Sequence, residues 1–275
     1  MAWHARLSLD YTLENHRTVA RHAHEGPLRI LQTLYPEGDA IAHNVLVHPP
    51  SGIVGGDTLD ISVRAGEHSH GFITTPGATR FYRSEGQPGI QRAHLKLEAG
   101  ARLEWLPLEA LAYSGCLAEN HVHIELAPGA EMIGWDVTGL GLPAAQQPFT
   151  QGSFLQHLEL QGDWVERGRI AAQDERLMDG PLGLAGRRCL ATLWFAAGEP
   201  LADARRDQAL ALANEIIDSA RDVLAGTTAP GPRVVVVRVL AGLVEPAMQL
   251  LKAVHAAWRP PLWDLPAASS RLWSL

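Results

Sequence analysis

Carboxylates and histidines are the side chains in this sequence that could bind a metal ion or transfer a proton. Asp136 stands out because it lies inside the apolar run Gly134-Trp135-Asp136-Val137, where an ionised carboxylate needs a partner or a purpose. The other acidic residues of interest are scattered: Asp57, Asp60, Glu67, Glu104 and Glu109. A pair of them could serve as general acid and base, but most such residues lie on a solvated strand face.

Three pairs among the 13 histidines have the spacing H-x-H: His22/His24, His68/His70 and His121/His123. On a strand this spacing places both rings on one face, where they could chelate nickel or zinc. The inner face of this strand is expected to be occupied by the apolar residues Val122, Ile124 and Leu126. His121 and His123 are therefore expected to point to solvent. Exposed histidines without a metal are the commoner case, since a site also needs further ligands and supporting hydrogen bonds.

His43 and His48 are stronger candidates because they flank an unusual glycine-rich run, His48 to Asp57 (HPPSGIVGGD). Proline lacks a backbone donor and glycine is entropically costly to order, so this run predicts turns rather than helix or central strand. It lacks the Lys-Ser/Thr ending of a phosphate-binding loop, and no helix pattern follows it. The sequence also contains no nucleophile elbow and no HExxH zinc motif.

Composition places the chain among globular proteins. It has 275 residues, of which 46% are hydrophobic and 19% charged, and a net charge of -7 argues against a nucleic-acid surface. Cys116 and Cys189 are far apart, which excludes a disulfide framework and a CxxC zinc motif. The sequence shows no signal peptide and no membrane span, so we expect a cytoplasmic protein without a membrane partner.

Period-two alternation predicts strands over Trp3–Asp10, Leu28–Leu34, Ile41–Val47 and Leu59–Arg64, with a turn at Pro36–Asp39. A degenerate repeat follows, in which a strand end, a tight turn and a new strand recur around glycines 66, 100, 129 and 162. Recurrence on this scale indicates stacked supersecondary units, each of which covers the apolar face of its neighbour.

The pattern changes near Gly198. Leu201–Leu224 lacks proline and glycine and carries an apolar stripe at helical spacing, and Glu245–Trp258 predicts a second helix, ended by Pro260-Pro261. The β-branched run Arg233–Leu240 between them predicts a strand buried on both faces.

We therefore predict a mainly β fold of layered or stacked antiparallel sheets, similar to a β-helix, with two helices near the C-terminus (α+β). The chain forms a single domain over 1–275. Within it we expect a β body over 3–197, a helix-strand-helix portion over 198–260 packed on that body, and a possible flexible tail over 261–275.

Four motifs in order resemble the urease accessory protein family UreD, called UreH in some species: HPPSGIVGGD (48–57), TTPGATRFYRS (74–84), GARLEWLPLE (100–109) and GWDVTGLG (134–141). Three earlier runs fit the same family, HEGPLR, LYPEG and HNV. The resemblance covers roughly residues 3–260. Several long motifs in the correct order are far more specific than any single glycine-rich run.

The resemblance implies a non-enzymatic chaperone with two layered sheets and a few helices. Such a protein binds apo-urease and UreF, which recruits the GTPase UreG, and together they deliver Ni²⁺ to urease while UreG hydrolyses GTP. It implies no permanently bound cofactor, with Ni²⁺ only in transit through an internal passage.

A transit route needs oxygen or imidazole ligands, because a closed thiolate cage would trap nickel. On this basis the expected polar lining is Asp57, Asp60, Glu104, Glu109 and Asp136, with His43 and His48. Each carboxylate could instead cap a turn or face solvent. Arg80, Tyr82 and Arg83 are expected to hold the fold together or to contact a partner.

Two other classes of function remain open. A stacked-β carbohydrate-active enzyme would use two of the carboxylates in an exposed groove with aromatic sugar platforms, but the aromatic content of 6% and the apolar settings of Trp105 and Trp135 argue against it. A purely structural β repeat would leave Asp57, Asp60 and Asp136 facing bulk solvent.

Overall fold

The computed structural model describes residues 2–50, 52–268 and 270–274. These residues form eighteen strands and three α-helices. The strands are β1 His4–Glu14, β2 Arg17–Glu25, β3 Arg29–Ile30, β4 Ile41–Val47, β5 Thr58–Ala65, β6 His70–Thr74, β7 Thr79–Phe81, β8 Gly89–Leu97, β9 Arg102–Leu106, β10 Ala110–Ala112, β11 Cys116–Leu126, β12 Glu131–Leu142, β13 Gln147–Pro148, β14 Gly152–Leu160, β15 Trp164–Ala171, β16 Cys189–Ala197, β17 Val223–Gly231 and β18 Val234–Ala241. The helices are α1 Glu175–Asp179, α2 Asp203–Ser219 and α3 Val244–Trp263.

The strands build two sheets. One, here called the outer sheet, has the order β15-β14-β11-β8-β5-β1-β2. The other, the central sheet, has the order β17-β18-β16-β12-β9-β6-β4-β3; β10 and β13 also pair with β12, and β7 pairs with β10. One apolar core lies between the two sheets, and a second lies between the central sheet and helices α2 and α3. The predicted mainly β, stacked fold with two helices near the C-terminus is confirmed.

The glycine repeat produces the stacking. Its first three turns carry the chain from an outer strand to a central strand: β5 to β6, β8 to β9 and β11 to β12. Gly100 and Gly129 have φ angles of +66° and +72°, and a Cβ at Gly100 would lie 2.3 Å from the ring of His68 in the turn below. Only glycine allows both this backbone and this approach. The fourth turn, at Gly162, makes a hairpin within the outer sheet.

Strand direction in the stack differs from the prediction. Parallel pairs join the neighbouring strands of two groups, β1, β5, β8, β11 and β14 in the outer sheet and β4, β6, β9 and β12 in the central sheet. Antiparallel pairs lie toward the ends of the sheets. The antiparallel expectation was wrong because each turn leads the chain into the opposite sheet. The neighbours within one sheet are therefore the corresponding strands of successive units, which run in the same direction. Side-chain alternation is the same for both directions and carries no signal for either.

The C-terminal portion contains one more strand than predicted. Helix α2 ends at Ser219, before the predicted Leu224, because the chain turns at Asp222 (φ +63°) into β17, which pairs with β18. The portion is therefore helix-strand-strand-helix. Strand β18 is buried on both faces as predicted: Val234 and Val236 enter one core, and Val235, Val237 and Val239 the other.

Helix α3 also runs past its predicted end, through Pro260 and Pro261 to Trp263. Both prolines lie in the last turn of the helix. Because proline has no N–H group, they remove two backbone hydrogen bonds, but the fixed φ angle of proline is compatible with a helix. Asp264 ends the helix at φ +55°, and its N–H donates to the carbonyl of Pro260 at 3.0 Å. Trp273, in the segment expected as a possible tail, is buried and donates from Nε1 to Thr74 Oγ1 at 3.1 Å.

Near the N-terminus the predicted strand Leu28–Leu34 is only the two-residue β3 plus a bridge from Leu34 to His43. Strand β2 was not predicted, since its largely exposed, polar sequence RTVARHAHE lies at the edge of the outer sheet and lacks a clear alternation. Among the described residues, no helix combines the length and apolarity needed to span a membrane.

Candidate functional site

A charged network lies between the central sheet and helix α3. Glu104 of β9 is fully buried and faces the helix. Its Oε1 accepts from His70 Nε2 at 3.0 Å and from Arg259 Nη2 at 3.2 Å, and its Oε2 accepts from His255 Nε2 at 2.6 Å. One carboxylate thus joins a neighbouring strand to two successive turns of α3.

Arg259 extends this network to the loop before β4. Its Nη1 donates to Glu37 Oε2 at 2.8 Å and its Nη2 to Glu37 Oε1 at 3.1 Å, which is a bidentate pair. His43 Nε2 lies 2.9 Å from Glu37 Oε1, and its ring stacks on Phe72 with centroids 4.2 Å apart. We call Glu37, His43, His70, Glu104, His255 and Arg259 the helix-side network.

The carboxylates of this network are held ionised. Burial alone would raise the pKa of Glu104, but the hydrogen bonds from His255 and His70 outweigh it and keep the pKa well below its ordinary value. Burial likewise opposes ionisation of Glu37, whose pKa is nevertheless lowered by the bonds from His43 and Arg259. The network therefore ties α3 to the sheet through buried hydrogen bonds to ionised carboxylates, although His255 Nδ1 and Arg259 Nε are buried without a hydrogen-bond partner among the described residues.

A cleft of about 760 Å³ opens beside the network. Glu37 and His70 form part of its wall, together with Arg102, Glu131 and Arg205. Arg205 is ion-paired with Glu131, and burial lowers the pKa of Arg102. Two guanidinium groups, one of them paired with Glu131, therefore line this cleft, and their positive charge disfavours entry of a free cation.

A second polar centre lies between the two sheets. Asp136 of β12 is 5% exposed; its Oδ2 accepts from Asn120 Nδ2 at 2.6 Å and its Oδ1 from Gln156 Nε2 at 2.7 Å. Burial raises the pKa of Asp136 to about 6, against the lowering effect of these two bonds, and the charge of Glu166 raises it further. Asp136 is thus a buried carboxylate whose pKa lies well above its ordinary value.

The surroundings of Asp136 continue toward the surface. Glu166 of β15 pairs in register with the buried Leu158 and so faces the space between the sheets. Its Oε1 accepts from Thr192 Oγ1 at 2.9 Å and its Oε2 from Arg238 Nε at 2.6 Å. Arg238 is partly exposed. We call Asn120, Asp136, Gln156, Glu166, Thr192 and Arg238 the inter-sheet cluster.

Glu104 and Asp136 lie on opposite faces of the central sheet. Glu104 pairs in register with Ile133 of β12, and Ile133 packs with the helices. Asp136 is three residues further along the same strand and points the other way, to the outer sheet. The structure therefore does not bring these two predicted lining residues into one site.

Other predicted lining residues lie elsewhere. Asp57 is 3% exposed and accepts backbone N–H bonds from Trp3 at 2.8 Å and Val54 at 3.1 Å, so it caps a turn. His48 lies nearby, and burial lowers its pKa. With Asp57 and Asp136 buried, the solvent-facing pattern expected of a purely structural repeat is not observed.

Asp60 lies on the solvent face of the outer sheet, bonded to His4 at 2.7 Å and Arg92 at 3.3 Å. Partial burial opposes ionisation of Asp60, but these two bonds lower its pKa. Glu109 is half-buried beyond β9, and its backbone oxygen accepts from Thr79 at 2.9 Å.

The first two sequence motifs pack against each other, although Ser51 of the first lies outside the described residues. Ile53 N–H donates to the Arg80 carbonyl at 2.7 Å, and Tyr82 N–H donates to the Ile53 carbonyl at 2.9 Å. The Tyr82 ring covers Gly52, where a Cβ would lie 2.0 Å from it. Arg80 and Arg83 are exposed, and their role in fold or partner contact stays a prediction.

Sequence reasoning missed the partners of the two buried carboxylates: His70, His255 and Arg259 bond to Glu104, and Asn120 and Gln156 bond to Asp136. It also missed Glu37, which pairs with Arg259, and Glu166, whose charge acts on Asp136. Two signals were present. His255 lies on the predicted helix Glu245–Trp258 and Arg259 follows its predicted end, so that a helix extended by one residue places the two on one face, and His70 belongs to an H-x-H pair.

Comparison with known proteins agrees with these motifs. The model of the family described as UreD urease accessory protein matches residues 4–274. The chain belongs to this family. The urease accessory proteins UreD of Variovorax paradoxus (strain S110) and Polaromonas naphthalenivorans (strain CJ2) are each 62% identical to it over 100% of both chains. UreD of Leptothrix cholodnii is 53% identical over 99% of both.

The resemblance drawn from the four motifs is therefore confirmed. UreD proteins are accessory proteins rather than catalytic enzymes, so family membership also confirms the prediction of a protein without its own turnover. The same membership supports a role in urease maturation.

Proposed function

We propose that this UreD protein is a scaffold for nickel delivery to urease in the cytoplasm. It binds apo-urease together with UreF and UreG, and Ni²⁺ passes to the urease active site while UreG hydrolyses GTP. Nickel is cargo in this scheme and no cofactor stays bound. The match to the UreD family over nearly the whole chain is the observation that carries the proposal.

The ligand chemistry of the chain suits transfer rather than storage of nickel. Cys116 and Cys189 are both buried, and burial raises the pKa of each thiol to about 12. Neither thiol supplies a thiolate at neutral pH, which leaves oxygen and imidazole groups as the ligands. Such ligands bind Ni²⁺ more weakly than a thiolate cage and release it more readily.

Among the buried carboxylates, Asp136 is the better candidate for a nickel route. Glu104 already carries one guanidinium and two imidazoles, and a cation would have to displace that charge. Asp136 is held by two neutral amides, whose oxygen atoms could turn toward a passing ion. With a pKa near 6, Asp136 is mostly ionised at neutral pH, yet a proton can still compete with the metal.

On this view the helix-side network, including Glu104 and His43, positions helix α3 rather than carries nickel. The apolar residues of α3, among them Leu251, Val254 and Trp258, are buried in the second core and are not free for a partner. Arg80 and Arg83, exposed next to the packed motifs, are better placed for contact with UreF or urease.

A reconstitution tests the function directly. Apo-urease is mixed with nickel, bicarbonate, UreF, UreG and GTP, and urease activity is measured with the wild-type chain, without it, and with Asp136→Ala. Activation that requires the chain, together with normal complex assembly but poor activation by the variant, supports a route through Asp136. Equal activation with and without the chain refutes the scaffold role.

Asp60→Ala serves as a matched control, because it removes a carboxylate from the solvent face of the same body. The proposal expects near wild-type activation from it. Normal activation by Asp136→Ala would retain the scaffold and remove Asp136 from the route.

A further inference from the structure

The solvent face of the outer sheet carries a cluster of histidines and glutamates that the proposed function does not use. Strands β8, β11 and β14 are parallel and in register, which places His94, His123 and Glu159 side by side in one row. His121 and His157 form the row before it. Neighbouring strands lie about 4.8 Å apart, so the side chains of each row can reach one another.

Glu125 connects two of the imidazoles. Its Oε1 lies 2.7 Å from His94 Nε2 and 3.5 Å from His123 Nε2. Glu159 Oε2 lies 3.5 Å from the other ring nitrogen of His123, Nδ1. Within the described part of the chain, His94, His123 and Glu125 are the one group of three ligand-bearing residues whose ligand atoms all lie within 4.8 Å of one another.

We propose that His94, His123 and Glu125 bind one divalent transition metal ion of the Zn²⁺ or Ni²⁺ class. His94 Nε2, His123 Nε2 and one Glu125 oxygen are the ligands, and water completes the coordination. Bond lengths of about 2.0–2.2 Å place ligand atoms on a tetrahedral ion roughly 3.4 Å apart. The three side chains are partly exposed and can close this gap by small rotations from strands that stay fixed.

The surroundings have the features of a metal site rather than of a chance cluster. Glu159 Oε2 lies 3.5 Å from His123 Nδ1 and 3.2 Å from His157 Nε2, so a small rotation toward His123 lets it accept a hydrogen bond from Nδ1 and fix the tautomer that offers Nε2 to a metal. Two imidazoles and a carboxylate form a set suited to borderline divalent ions and poorly suited to Mg²⁺ or Ca²⁺, which prefer oxygen.

This site is separate from the nickel route proposed above. Val122 and Ile124, which alternate with His123 on β11, are buried in the core between the sheets and divide the cluster from Asp136. Metal binding here therefore neither requires nor implies the role in urease maturation.

The test uses the full-length chain without a histidine tag, stripped with a chelator that is then removed. Ni²⁺ and Zn²⁺ affinities are measured by competition with a chromophoric chelator, and Co²⁺ is added as a spectroscopic probe. We expect one ion per chain and a Co²⁺ visible spectrum with nitrogen ligands. The double variant His94→Ala/His123→Ala should bind at least about 100-fold more weakly, and Glu159→Gln about 10-fold more weakly.

The matched control is His22→Ala/His24→Ala. These residues form another exposed H-x-H pair on the same sheet, with rings stacked 5.8 Å apart, but they do not belong to the three-ligand group. Unchanged binding by this control supports the site. Wild-type binding by His94→Ala/His123→Ala, or failure of the wild type to bind any of the three ions at micromolar concentration, overturns it.

Folding of each variant is checked by circular dichroism. Glu125→Gln is included because it keeps the shape of the side chain and removes its charge. If this variant folds and binds all three ions as tightly as the wild type, the proposed ligand set is wrong.

Discussion

Asp136→Asn should make the protein more stable at neutral pH, although it alters a carboxylate that we propose for function. The folded state raises the pKa of Asp136 from 3.8 to about 6, mainly by burial. When folding raises the pKa of a group, the contribution of that group to the stability of the folded state is fully present below its pKa in the unfolded state. This contribution is lost as pH rises through the pKa in the folded state. A shift of about 2 units at about 1.4 kcal/mol per unit amounts to about 3 kcal/mol above pH 7.

The local contacts allow the substitution. Both oxygens of Asp136 accept a hydrogen bond. After the substitution one of these positions is an NH₂ group, which needs an acceptor instead of a donor. Gln156 can rotate its side-chain amide and present Oε1, whereas Asn120 is held because its Oδ1 accepts from Gln91 Nε2 at 3.2 Å. The variant therefore keeps both hydrogen bonds and no longer buries a charge.

Urea denaturation followed by tryptophan fluorescence measures the effect across pH. The free energy of unfolding of Asp136→Asn minus that of the wild type should rise by about 2 kcal/mol between about pH 4.5 and 7.5, most of the expected 3 kcal/mol. Glu166→Gln should reduce this rise, because the charge of Glu166 adds to the raised pKa.

Asp60→Asn is a control of opposite sign. The folded state lowers the pKa of Asp60, so its contribution is present above the unfolded pKa and is lost as pH falls. This variant should be less stable than the wild type at neutral pH. A pH-independent difference for Asp136→Asn, or a loss of stability at pH 7, would refute the reasoning about burial of the charge.

Three further predictions concern the fold and its partners. Glu104→Ala should destabilise the chain by about 3–5 kcal/mol because it leaves buried partners unpaired; urea midpoints measure this, and a cycle with His255→Ala should show coupling rather than additivity. Gly52→Ala should cost about 1–3 kcal/mol through overlap with the Tyr82 ring, and much less in a Tyr82→Ala background. Arg83→Ala should leave the melting temperature almost unchanged but weaken capture of UreF or apo-urease in a pull-down; undiminished capture would remove Arg83 from the partner surface.

The sequence by itself determined the repeat and the family. Glycines at 66, 100, 129 and 162 mark turns because a tight reversal favours glycine whatever the tertiary context, and they predict a stack. The β-branched run Arg233–Leu240 predicted a strand buried on both faces. Asp136 was identified because a charge inside an apolar run needs an explanation in any fold.

Only the tertiary structure decided strand direction and the partners of the buried carboxylates. Parallel and antiparallel strands share the same side-chain alternation, so direction depends on which sheet each turn leads to. Glu104 meets His255 across 151 residues and Asp136 meets Gln156 across 20, and each pairing depends on how the units stack. The functional difference between these carboxylates, one held by charged groups and one by neutral amides, is a property of that stacking, because hydrogen-bond partners are chosen by proximity in space.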